Sequence, residues 1–309
     1  MSVNLKSLLT LSVASLLISV HASPVFSQEL VEKSRVKVNI SFESADSRAP
    51  LKFETIKGII LFEVYVNGVK TYGMLDNEIG RSVIDVELAQ RLGLKISEND
   101  AKVSTQNGDL NQYVVDSVHV SLPGQLTIDA PSYAINLQGI SRHIGKEIGF
   151  VLGKDYFSEL IFIISNKNKS LRIGPPGSMN GIEGQRFLPV HPQNGTVPIE
   201  VDGEVFNLNI DTGSTESVGF RQKPWDRMGS ATSRESFLMA AGSGRVSKVP
   251  YSRGHSISVN GHRLDDQRLS LTLFHGDEGD GVIGMGVLKN FDLVFNYSDN
   301  KIWVFPIVQ

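Results

Sequence analysis

The feature that most constrains this chain is a correspondence between its two halves. Gly58 to Gly80 reads GIILFEVYVNGVKTYGMLDNEIG, and Gly195 to Gly219 reads GTVPIEVDGEVFNLNIDTGSTESVG. Val66-Asn67-Gly68 and Val201-Asp202-Gly203 stand 135 residues apart, and so do Asp76 and Asp211. A second match closes each half. Phe150-Val151-Leu152-Gly153 corresponds to Val282-Ile283-Gly284 at an offset of 131, and Leu171-Arg172-Ile173 to Ile302-Trp303-Val304. Self-similarity at a fixed spacing predicts one supersecondary unit used twice, here over 58–174 and 187–306. Asn-Gly and Asp-Gly between apolar alternations are strong hairpin signals, because both turn residues take positive φ. Each hairpin's second strand runs into an aspartate, Met74-Leu75-Asp76 and Asn209-Ile210-Asp211. The tip of a buried strand is an unusual place for a charge.

Short Val- and Ile-rich runs and 29 glycines point to an all-β protein with a few short helices. The clearest helix is Asp85 to Gly93, with Asp85 as N-cap, Leu88, Ala89 and Leu92 on one face, and Gly93 as terminator. Gly174-Pro175-Pro176-Gly177-Ser178 opens a linker over 175–186 between lobes at 51–174 and 187–309. Residues 23–50 read as an N-terminal arm with an edge strand at Val36–Ile40. Lys6, the apolar run Leu8–Val20 and the small-residue site Val20-His21-Ala22 read as a signal peptide over 1–22. The expected location is therefore secreted or periplasmic, in a bacterium.

The chain has no cysteine, so disulfides, thiolate metal sites and a catalytic thiol are excluded. The net charge of -3, with no basic run, gives no reason to expect a nucleic-acid partner. After signal removal a soluble monomer is expected, without membrane association. The histidines lack metal-ligand spacing and read as surface or loop residues, and no phosphate loop or nucleophile elbow is present. Tyr72, Tyr113 and Trp225 read as packing residues.

Ile210-Asp211-Thr212-Gly213-Ser214, followed about seventy residues later by Val282-Ile283-Gly284, resembles the pepsin-like and retropepsin-like aspartic proteases. Leu75-Asp76, Arg81 to Asp85 and Leu152-Gly153 extend the resemblance to the first half. It implies a bilobal double β-barrel in which Asp76 and Asp211 act together on a polypeptide substrate through a bound water, with no cofactor and no metal. It further implies that Thr212 hydrogen-bonds across to the opposite loop, that Gly213 allows close approach, and that Ser214 donates to Asp211. Gly242, Ser243 and Gly244 fall at the position of the family's hairpin flap, and Tyr113 at that of a flap aromatic.

The first half departs from the pattern. It reads Asp76-Asn77-Glu78-Ile79 where the family has Asp-Thr-Gly followed by a small residue. Asn77 can still support the loop across the axis, with a different reach. Glu78 brings a Cβ and a third carboxyl to a place built for bare backbone, where it could hold the loops apart. Two functions stay open at this point. One is an aspartic-type endopeptidase. The other is a catalytically impaired pseudoprotease that binds a peptide or protein.

Overall fold

The computed structural model describes residues 12–13, 38–43, 49–105, 108–178, 181–182, 184–228, 235–240, 246–272 and 279–307. The first strands are β1 (Ser12–Val13), which pairs with Met239–Ala240, β2 (Asn39–Phe42) and β3 (Leu51–Ile56). Six strands then form a closed ring: β4 (Ile59–Val66), β5 (Val69–Leu75), β6 (Val83–Asp85), β8 (Gly108–Leu122), β9 (Leu126–Ile135) and β10 (Ile148–Leu152). Its order is β4-β5-β10-β6-β9-β8, with β8 closing back on β4. β7 (Ile96–Thr105) extends from the ring as an antiparallel partner of β8.

The second half follows the same order. β14 (Thr196–Val201), β15 (Glu204–Asp211), β20 (Gly281–Gly284), β16 (Val218–Phe220), β19 (His262–Leu271) and β18 (Val246–Val259) pair in that sequence, and β18 closes on β14. β17 (Ser236–Ala240) extends from β18 as β7 does from β8. The fold is thus mostly β, a double barrel with few short helices.

Local chemistry accounts for these elements. Val66 pairs with Val69 across Asn67-Gly68, and Val201 with Glu204 across Asp202-Gly203. All four turn residues have positive φ (46°, 81°, 50° and 86°), the geometry that matches the twist of a two-residue hairpin. β4, buried at six of eight positions, faces core on both sides. The helix Val86–Arg91 is capped by Asp85, whose carboxylate accepts from Leu88 N. Of the arm, β2 pairs with β9 over Asn39–Phe42, which overlaps the expected edge strand at Asn39 and Ile40; Val36 and the rest of 23–37 lie outside the described residues.

The two barrels share a floor. β11 (Ile161–Ser165), β12 (Ser170–Gly174), β13 (Leu188–Pro189), β21 (Phe291–Asn296) and β22 (Lys301–Pro306) line up as β13-β22-β21-β11-β12-β3. The seam between the halves is β11 against β21, with Phe162 opposite Phe295. Phe157 stacks on Phe162 at 3.9 Å and meets Phe295 edge-on at 5.3 Å. Such pairs add about 0.5–1.5 kcal/mol each beyond area burial. This aromatic cluster fixes the floor beneath both aspartate loops. Among the described residues no helix is long and apolar enough to cross a membrane.

Candidate active site

Asp76 directly follows β5, and Asp211 ends β15. Each strand is held parallel to the closing strand of its own half. Asp76 N donates to Leu152 O at 3.0 Å, and Asp211 pairs with Gly284. Both aspartates are wholly buried.

The two loops fold alike. Glu78 N donates to Asp76 Oδ1 at 3.1 Å, as Gly213 N does to Asp211 Oδ1 at 2.8 Å. Ile79 N reaches Asp76 O at 3.3 Å, and Ser214 N reaches Asp211 O at 3.4 Å. Behind them, Lys154 N donates to Ile79 O and Met285 N to Ser214 O, at 2.8 and 2.7 Å. The closing glycines are required by contact. A Cβ on Gly153 would lie 2.8 Å from the Arg81 and Ser82 backbone, and one on Gly284 would lie 2.7 Å from Glu216 O.

The loops meet through reciprocal hydrogen bonds. Asn77 N donates to Thr212 Oγ1 at 3.3 Å, and Thr212 N donates to Asn77 Oδ1 at 2.8 Å. Asn77 Nδ2 adds a bond to Ile210 O at 2.5 Å and one to the Tyr297 hydroxyl at 2.9 Å. The amide therefore accepts and donates across the interface, two tasks a single hydroxyl could also perform. Glu78 does not hold the loops apart. Its side chain is half-buried, and Oε1 accepts from Asn77 Nδ2 at 3.4 Å.

Gly213 shows how closely the second loop approaches the first. A Cβ there would stand 2.5 Å from Asp76 Cγ and Oδ2. Asp76 Oδ2 is buried and has no hydrogen-bond partner among the described residues. Burial, then the neighbouring Asp211 carboxyl, pushes the Asp76 carboxyl well above the usual carboxylate range. The Glu78 charge pushes the same way, while the amide bonds from Glu78 and Ile79 oppose it.

With this geometry in view, the comparison with known families bears on the second half. The model of a family described as aspartyl protease matches residues 197–287. That span holds Asp211, Thr212, Gly213, Ser214 and Gly284, and the match supports an aspartic-type peptidase. No curated protein matches the chain.

Three contributors carried no sequence signal of their own. Tyr297, in the turn between β21 and β22, sends its hydroxyl under the Asn77 amide; burial, with the Glu78 and Asp211 charges, raises its pKa. Asp155 accepts from Ser82 N and Oγ, and Ser82 Oγ in turn accepts from Gly153 N at 2.8 Å, locking the first loop's base. Glu216 is wholly buried, accepts from Ser270 Oγ at 2.7 Å, and has its pKa raised by burial. Only proximity in space reveals them. The Asn77–Tyr297 bond spans 220 residues of chain.

Ser214 Oγ accepts from Glu216 N at 3.3 Å. Gly242, Ser243 and Gly244 lie outside the described residues; the strands they join, β17 and β18, pair antiparallel from Ala240 opposite Val246. Tyr113 and Trp225 pack on the main core, and Tyr72 on a smaller one.

Proposed function

We propose that this chain is an aspartic endopeptidase of the pepsin and retropepsin type, built from two copies of one unit, with Asp76 and Asp211 as its catalytic pair. The observation that carries the reading is the reciprocal bonding of Asn77 and Thr212, because it ties the irregular loop to the regular one. Two carboxyls held together in a buried site cannot both ionise, so they share one proton. Aspartic proteases are the best-known instance of this arrangement. The ionised carboxylate takes a proton from a water as it attacks the peptide carbonyl. The protonated partner donates to the carbonyl oxygen, and the gem-diol collapses with proton transfer to the leaving amine. The pair titrates as a unit. Asn77, Thr212, Gly213 and Ser214 hold the carboxyls in place.

The reading includes removal of residues 1–22, action outside the cytoplasm and a monomeric state. The test is cleavage of an unfolded polypeptide by purified protein across acid to neutral pH. Turnover that vanishes in both Asp76→Asn and Asp211→Asn is expected. Full activity in either variant, with the fold intact, refutes the assignment.

Glu78 and Ile79 motivate a second reading. Ile79 has no hydroxyl where the other loop has Ser214, and Glu78 crowds the pair with charge. A pseudoprotease would bind peptide without turnover, and binding would survive Asp211→Ala.

A further inference from the structure

Ser252 and His255 on β18, together with Asp202 in the β14–β15 turn, make a second set of reactive side chains apart from the aspartate loops. Ser252 Oγ lies 2.7 Å from His255 Nε2, and His255 Nδ1 lies 2.6 Å from Asp202 Oδ2. The other Asp202 oxygen accepts from Ser256 N at 2.7 Å and Ser256 Oγ at 3.2 Å. A carboxylate only accepts, so in the neutral imidazole the proton sits on Nδ1 and Nε2 is the acceptor for the Ser252 hydroxyl. This is the orientation in which a histidine activates a serine.

The first half supplies an internal reference. There, β8 breaks register between Val115 and Val118, as β18 does between Ser252 and His255. Asn67 occupies the turn position of Asp202, and its Oδ1 accepts from His119 N at 3.1 Å, the counterpart of the Ser256 N bond. The bulge and the capped turn are therefore parts of the scaffold in both halves. In the first they hold two buried valines and a neutral amide. In the second the same places hold a hydroxyl, an imidazole and a carboxylate. The His255 side chain keeps 16% of its surface exposed and that of Asp202 36%, while Ser252 is half-buried at the same surface. A scaffold that needs only valine and asparagine does not explain this set.

We propose that Ser252, His255 and Asp202 form a nucleophilic centre that accepts an acyl group from a small ester with a good leaving group. Ser252 Oγ attacks the carbonyl carbon as its proton passes to His255 Nε2. The tetrahedral adduct expels the alcohol, which takes that proton, and leaves an acyl-serine. Water, deprotonated by the same nitrogen, releases the acid and restores the hydroxyl. The open position of the set selects for reactivity of the leaving group rather than for a long chain.

The full chain carrying Asp211→Asn, which removes the aspartate pair from the experiment, is treated with a fluorophosphonate probe and digested for peptide mapping. The label is expected on Ser252. His255→Gln slows labelling on the order of 10²-fold, as loss of a general base does. Asp202→Asn keeps the turn cap, as Asn67 does in the first half, yet slows labelling to a similar degree. 4-Nitrophenyl acetate gives an acyl burst that is lost with the label. Absence of label, label on another residue, or equal rates in His255→Gln and its parent overturns the proposal. Mapping on the parent chain decides the matter even where a variant fails to fold.

Discussion

The two aspartate loops differ in three successive side chains and share their main backbone hydrogen bonds. Asp76-Asn77-Glu78-Ile79 and Asp211-Thr212-Gly213-Ser214 make the same turn, with an amide two residues on bonded to the carboxylate in each. The difference lies in how each loop reaches its neighbour. Thr212 does so with one short hydroxyl, and Gly213 clears space for Asp76 by having no side chain. Asn77 uses a longer amide that grips Ile210 O and Thr212 N together and recruits Tyr297 from the floor. A broken motif in sequence is thus an intact connection in space.

The comparison breaks first at the carboxylates. Asp76→Asn and Asp211→Asn should each lower polypeptide cleavage by about 10²–10⁴-fold, the range of a lost general acid or base. An Asp76→Asn protein that cleaves normally would show the loops to be unequal in chemistry as well as in sequence.

The next largest effect is steric. Gly213→Ala places a methyl against the Asp76 carboxyl and should destabilise the fold by about 1–3 kcal/mol, as overpacking does. Glu78→Gly, at the matching place, should leave the melting temperature within a few degrees of the parent. Equal losses in denaturant titration would mean that the close approach to Asp76 is not what sets Gly213 apart from Glu78.

Asn77→Ala leaves the buried Thr212 amide without its acceptor, at a cost of about 1–3 kcal/mol. Asn77→Thr should recover much of that stability and of the activity. Urea unfolding of the three proteins tests this, and failure of threonine to rescue would show the Asn77 amide to be specific to its own loop.

The pH dependence of stability reads the proton that the carboxyl pair retains. Asp76 has a folded pKa above its unfolded value of about 3.9, so the folded chain keeps a proton the unfolded chain releases. Its contribution is fully present below the unfolded value and is lost as pH rises through the folded one. Thermal melts of Asp76→Asn should therefore decline less from acid to neutral pH than the parent's. Glu216, also raised by burial, supplies part of the remaining slope. An unchanged slope would place the retained proton elsewhere.

Tyr297→Phe is the mildest change. It removes one bond to Asn77 and should cost about 0.5–1.5 kcal/mol. A larger loss of activity than of stability would mark Tyr297 as positioning the first loop rather than merely filling the floor.

Much of this architecture was legible in the chain. The paired offsets, the Asn-Gly and Asp-Gly turns and the apolar-apolar-Gly strands each reflect a local rule of backbone conformation or of close contact, so they leave a mark at a fixed place. The histidines show the limit of such reading. His255 carries no motif and reads as a loop residue, because its neighbours Ser252 and Asp202 are brought to it by a bulge and by a turn 53 residues earlier.

The sequence by itself determined that two similar β units each end a buried strand in an aspartate, since hairpin chemistry and hydrophobic period act over a few residues. Whether those aspartates meet was decided only by the tertiary structure. Contact between the loops depends on the β11–β21 seam and on the reach of Asn77, and hydrogen bonds across 133 to 220 residues of chain leave no periodic trace. The glutamate that could have blocked the approach is accommodated with its carboxylate accepting from the Asn77 amide, a direction that residue type alone does not fix.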